Sequence, residues 1–340
     1  MIAERFAAQL LSGPPAADAT SVAHRLLAVQ GQDSRGVRLA IRARSTGLSA
    51  ADVDRALTDD RVLLITWLNR GTLHLVRSED YFWLHAITTP QLLRGNARRL
   101  AQEGVAPDVA DRGVGVIERS LYEAGPLIRG QLGERLRAAD VPVAGQALIH
   151  LLALASLRGL TVRGPVVAGQ QAYVLVRDWL GRPPAVDRDT AGRELARRYL
   201  AGHGPAGERD LARWAGVPLR VARAGLTAIA AELVERPDGL VALAGRPAST
   251  DLPPPRLLGA FDPLLLGWCS REAILGANQG AVTVNGVFRP FALVGGRGAA
   301  TWTLPGGRVV LHPFGRLSAA DRAALDADAV DVVRFLGLAR

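Results

Sequence analysis

Lysine is absent from this 340-residue chain, so all 41 Lys+Arg positions are arginine. No lysine amine is available to attack a substrate and form a Schiff base. Cysteine is almost absent: Cys269 alone excludes an intrachain disulfide, a thiolate zinc cluster and an iron–sulfur centre held by this chain. The six histidines (His24, His74, His85, His150, His203, His312) show no close pairing, so a His-rich metal site is not expected. No run approaches 18 apolar residues, and residues 1–11 lack a basic segment followed by a long apolar one. Neither secretion nor membrane spanning is supported, and a cytoplasmic location is expected. What is present in excess is positive charge: 41 cations against 32 Asp+Glu leave +9, the footprint of a polyanion binder, with nucleic acid or an anionic membrane the leading partner.

The length exceeds a comfortable single core and predicts two to four domains. Val22, Leu26, Leu27 and Val29 recur at helical spacing, and Gly31 interrupts them before Asp33 or Ser34 caps a helix over 34–44. A helix over 49–57 precedes strands over 62–67 and 72–76 around Asn69-Arg70-Gly71. A related pattern returns after Gly125-Pro126, with helices over 131–138 and 143–157 and a hairpin over 160–167 and 171–176. It returns again after Gly204-Pro205, with helices over 210–214 and 219–233 and a ribbon over 234–243 broken at Pro237-Asp238-Gly239. Helix, turn, helix and two-stranded ribbon make a winged helix. Beyond linkers at 183–190 and 247–255, strands over 282–284, 287–294, 299–304 and 308–312 precede a closing helix over 319–336. The expected fold is α+β, mainly α: tandem winged-helix repeats followed by a small C-terminal β-barrel-like domain. Its expected divisions are 1–115, 116–185 and 186–250 for three winged-helix domains and 256–340 for the β-rich domain.

Gln30 and Gln32 are the leading chemical candidates. Residues two apart on one continuous helix point to nearly opposite faces, so their amides converge only if the chain breaks between them, and Gly31 suits that break. A carboxamide is a poor base but orients a water through its donor and its acceptor. The same two residues also read as caps of adjoining helix ends. Asp33 is a reserve base or a helix N-cap. Arg70 and His74, at the presumed first wing, are candidates to hold phosphate or line the site, a buried hydrogen-bonded His74 being the alternative. Asp262 reads as a turn residue or an arginine partner more readily than as an acid. Arg35, Arg38 and Arg42 share one side of their helix and are candidate phosphate ligands, or else a solvated basic face. Later arginines, including Arg197, Arg198 and Arg223, are assigned collectively to DNA backbone binding.

Five strings occur in order: Val29-Gln30-Gly31-Gln32-Asp33, Arg70-Gly71-Thr72-Leu73-His74-Leu75-Val76, Phe261-Asp262-Pro263-Leu264-Leu265-Leu266, Phe288-Arg289-Pro290-Phe291 and Thr301-Trp302. Together they make the chain resemble the bacterial family of AlkZ-type tandem winged-helix DNA glycosylases, from about residue 20 to residue 335. That family's signature is Gln, an aliphatic residue, then Gln or Asp; Gln30 and Gln32 match its polar positions, and Gly31 stands where the aliphatic residue would. The resemblance implies a glycosylase that hydrolyses the N-glycosidic bond of N7-alkylguanine, including bulky adducts and interstrand crosslinks, in DNA repair or self-resistance to a genotoxic natural product, and the absence of lysine predicts a monofunctional one that leaves an abasic site. Such a base is cationic and already a good leaving group, so a positioned water and a stabilised oxocarbenium-like sugar matter more than strong acid catalysis. No metal or organic cofactor is implied. The implied partner is double-stranded DNA carrying alkylated purines in the bacterial cytoplasm, associated with the nucleoid, with no membrane and no obligate protein partner. The alternative is a non-catalytic winged-helix DNA-binding protein or transcriptional regulator.

Overall fold

An Asp or Ser ahead of an apolar-periodic stretch supplies the oxygen that an open helix N-terminus needs. Asp18 starts Ala19–Leu26, Asp33 starts Ser34–Arg42 and Ser318 starts Ala319–Phe335, accepting the backbone N–H of Ser21, Gly36 and Asp321 respectively. The computed structural model describes residues 1–246, 249–283 and 286–338. The chain forms two compact units, one of Met1–Val53, Gly192–Trp214 and Pro218–Arg340, the other of Asp54–Ala191 and Ala215–Val217. Each joins stretches distant in sequence, and the expected division at residues 115, 185 and 250 is finer than these two units.

In the second unit, four antiparallel strands lie in the order Thr72–Arg77, Leu63–Leu68, Thr161–Val167, Gln170–Leu175. Leu63–Leu68, apolar apart from Thr66, is buried along its whole length, as befits a central strand. Helices Pro107–Ala124, Arg129–Ala138 and Ala147–Leu157 enclose a core that includes Ile117, Leu132, Leu151, Trp67 and Tyr173. Helices of this unit not expected from the sequence include Tyr81–Thr88, Leu92–Gln102, Pro107–Ala124 and the short Val176–Trp179.

In the first unit, Val310–Pro313, Arg297–Thr303, Phe291–Val294 and Arg256–Leu258 form an antiparallel sheet in that order. Ser34–Arg42 and Ala319–Phe335 pack against its edge strand Arg256–Leu258. The expected strand over 287–294 begins only at Phe291, because Pro290 has no N–H for a ladder. Val282 makes a single bridge to Phe288, while Val284 of the expected strand over 282–284 lies outside the described residues, as do Pro247 and Ala248 of the expected linker. Helices Glu208–Ala215 and Leu219–Ala228 precede a hairpin of Leu233–Glu235 and Val241–Leu243; the second helix stops five residues short of expectation, at Ala228 rather than Leu233. The architecture is α+β, with about half of the residues in helices. Among the described residues no helix is long and apolar enough to cross a membrane.

Candidate active site

Helix Ala19–Leu26 ends at Leu27, whose left-handed φ of 64° turns the chain out of the helix. Val29–Gln30 is then extended, Gly31 follows, and Asp33 starts the next helix. Gln30 and Gln32 therefore lie on a connection between two helices, where residues two apart are free to converge. They do: Gln30 Nε2 donates to Gln32 Oε1. Gln30 is buried and Gln32 is exposed, so the pair reaches from the protein interior to solvent. Each carboxamide carries both a donor and an acceptor, the combination that orients a water.

The neighbouring candidates separate by burial. Asp33 caps its helix, accepting from the Gly36 N–H, which commits one carboxylate oxygen to structure. Arg35 is exposed, and Arg38, half-buried, donates to the Ser34 carbonyl at 2.6 Å. Arg42 corrects the expectation of a three-arginine phosphate stripe. Its side chain is 3% exposed and is bonded by Asp328 and Asp331 at 2.9 Å and by the Leu257 carbonyl at 2.8 Å. The basic face continues along the helix, but Ala319–Phe335 covers its C-terminal end, so Arg42 is an interior partner unavailable to DNA phosphate.

Asp262 is likewise interior. It takes both terminal nitrogens of Arg44, at 2.8 and 2.9 Å, and caps the turn Pro263–Leu265 through the Leu264 N–H. Arg44 also donates to Gln9 Oε1 and the Ala40 carbonyl. Sequence reasoning missed Arg44, since nothing local separates it from the surface arginines around it. Among the later arginines, Arg197 pairs with Glu194 and Glu232, Arg223 pairs with Glu208, and Arg198 is buried and donates to the His24 carbonyl.

Arg70 and His74 belong to the second unit, and His74 takes the buried, hydrogen-bonded alternative. His74 is buried, its Nδ1 lies 2.9 Å from the Thr72 carbonyl oxygen, and burial, aided by the Arg70 charge, pushes its pKa down to about 3. A neutral, enclosed imidazole is no phosphate ligand. The Asn69-Arg70 turn is covered by residues 215–217: a Cβ on Gly216 would stand 2.5 Å from the Asn69 carbonyl oxygen and 2.8 Å from the Arg70 nitrogen. Gly216 is the residue that permits this approach. Of the predicted site residues, the structure thus brings together Gln30 and Gln32, with Asp33, Arg35 and Arg38 directly following them.

An arginine-rich α+β chain with paired carboxamides at a break between two helices is consistent with a class of enzyme acting on nucleic acid. The family model for AlkZ-like DNA glycosylases matches residues 23–335. The chain belongs to that family and is a DNA glycosylase. An "Interstrand DNA cross-link repair glycosylase" of Streptomyces sahachiroi is 26% identical over 372 aligned positions, which cover 100% of this chain and 96% of that protein. The solved structure of Streptomyces sahachiroi DNA glycosylase AlkZ is similar with a TM-score of 0.80 at 25% identity, covering 100% of this chain and 96% of that one.

Proposed function

We propose that this glycosylase is monofunctional and hydrolyses the N-glycosidic bond of N7-alkylguanine in double-stranded DNA, including bulky adducts and interstrand crosslinks. The observation that carries the reading is the amide-to-amide hydrogen bond of Gln30 and Gln32 across Gly31. A water oriented by the two carboxamides attacks the anomeric carbon as the glycosidic bond breaks. The bond's electrons go to the cationic purine, which leaves neutral, and the water's surplus proton passes to solvent. Neutral, undamaged bases lack this leaving-group activation and resist the enzyme. A relative that repairs interstrand crosslinks supports extending the substrate range to crosslinks.

The same reading takes Arg35 and Arg38 as phosphate ligands beside the reaction centre. It also takes the chain as tandem winged helices over 1–115, 116–185 and 186–250 with a β-barrel-like domain over 256–340. The setting is the bacterial cytoplasm and nucleoid, in DNA repair or in resistance to a genotoxic metabolite. The test incubates purified protein with a duplex carrying one N7-alkylguanine and then heats it in alkali, which cleaves abasic sites. Strand scission only after alkali, and no protein–DNA adduct trapped by borohydride, is the expected result. An intact lesion together with sequence-specific binding of undamaged duplex makes the chain a regulator, and a trapped adduct removes the monofunctional assignment.

A further inference from the structure

We propose that a cleft beside the glutamine pair receives the planar aromatic portion of a bulky adduct, with Phe261 as its stacking surface. This rests on the reading of Gln30 and Gln32 as the centre that acts on alkylated guanine. The cleft lies within the first unit and encloses about 480 Å³, inside the range of pockets that take small organic groups. Its lining includes Asp33, the residue that follows Gln32 in the chain.

The first turn of Ser34–Arg42 forms one wall, and Phe261 with Phe288 forms the other. The walls meet where Gly36 lies against the Ala260 carbonyl oxygen, which any Cβ at position 36 would strike. The Phe261 and Phe288 rings stand 5.7 Å apart, and the Arg271 guanidinium sits 4.8 Å from the Phe288 ring centre. Phe261 is only half-buried and has φ of 56°, a backbone region costly for a bulky L-residue. The adjoining Asp262–Arg44 ion pair and the Phe261 N–H bond to the Phe288 carbonyl, 3.3 Å, hold it there. The fold thus maintains a strained, part-exposed aromatic residue on the wall of a cleft whose lining includes the residue that follows the amide pair.

The chemistry of the lining selects the ligand. Apart from Asp33, already engaged by the Gly36 N–H, no described lining residue carries a carboxylate, and exposed Arg35 and Arg289 supply two cations. Aromatic walls with cations at hand suit a planar, apolar substituent attached to a polyanion: the substituent stacks while the arginines meet flanking phosphates. A methyl group on N7 is too small to span such a cleft and gains none of this contact.

The test measures binding and so does not depend on turnover. Full-length Gln30→Ala/Gln32→Ala protein is titrated by fluorescence anisotropy with duplexes carrying either N7-methylguanine or a guanine N7-linked to a polycyclic aromatic group. The readout is the ratio of the two Kd values. The aromatic adduct is expected to bind about ten-fold tighter, in the range of one stacking contact, with the ratio falling toward one in Phe261→Ala and in the bulk-preserving Phe261→Leu. A fold defect weakens both duplexes and leaves the ratio standing. A ratio near one in the parent protein, or a ratio that survives both Phe261 substitutions, overturns the proposal. Failure of the glycosylase reading shows elsewhere, as absence of excision by the native chain.

Discussion

A charge persists in a protein interior only where partners replace the water it has lost. Arg44 and Asp262 meet that condition, each side chain fully buried and bonded to the other in a bidentate pair. Asp262→Ala leaves the guanidinium buried and unpaired, and the expected loss is about 3–5 kcal/mol of unfolding free energy in a denaturant titration. Full stability combined with lost excision would instead give Asp262 a part in the chemistry. At this scale the sequence was legible where the cause is local. Asp33 as an N-cap depends on residues three positions away and could be read directly. The difference between exposed Arg35 and buried Arg42 depends on Asp328, 286 positions along the chain, and no spacing within residues 34–44 carries it. His74 sat between two readings for the same reason, and burial within its sheet decided it.

Elements followed their local signals with similar limits. Caps, turn residues and apolar alternation placed Ser34–Arg42, Ala319–Phe335 and the hairpins of both units close to where they occur. Tyr81–Thr88 escaped because it is apolar around much of its circumference and shows no clear amphipathic stripe, whereas Leu92–Gln102 escaped although it carries such a stripe. The element that matters most for the site is Ser34–Arg42, since its first turn follows the glutamine pair directly. It is seated by Gly36, and Gly259 approaches the same turn from the other side, 2.9 Å from Gly36 oxygen to a Cβ built at 259. Gly36→Ala pushes helix and sheet edge apart. A cost of about 1–3 kcal/mol is expected in thermal or chemical unfolding, with excision falling further than stability alone predicts because Asp33 and the pair move with the helix. An Ala variant with native stability would mean that the backbone yields there without cost.

At the scale of the whole molecule, each unit carries one fully buried histidine with a strongly lowered pKa. His74 lies in the second unit and His203, stacked on Tyr199 at 4.9 Å, in the first; burial pushes both down to about 3. The unfolded chain takes up a proton at each as pH falls through about 6.5, whereas the folded chain resists until about 3. Stability is therefore complete above about pH 6.5 and declines on acidification by roughly 1.4 kcal/mol per pH unit for each histidine, a trend that denaturant midpoints between pH 7 and pH 4 will register. His203→Phe should flatten that slope, and an unchanged slope would contradict the assignment. The net charge of +9 made a polyanion partner legible from composition, yet many of those arginines are bound to carboxylates. Composition counts cations, whereas the fold decides which ones remain for DNA.

The central claim is that Gln30 and Gln32 act as one unit on one water. Single-turnover excision of N7-alkylguanine by the native protein, by Gln30→Ala, by Gln32→Ala and by the double variant tests it directly. Two groups that hold the same water lose its alignment when either is removed, so each single variant should fall by about 100-fold and the double variant little further. Multiplicative losses would mean the glutamines act separately. Rates close to native in all three would place the chemistry elsewhere in the protein.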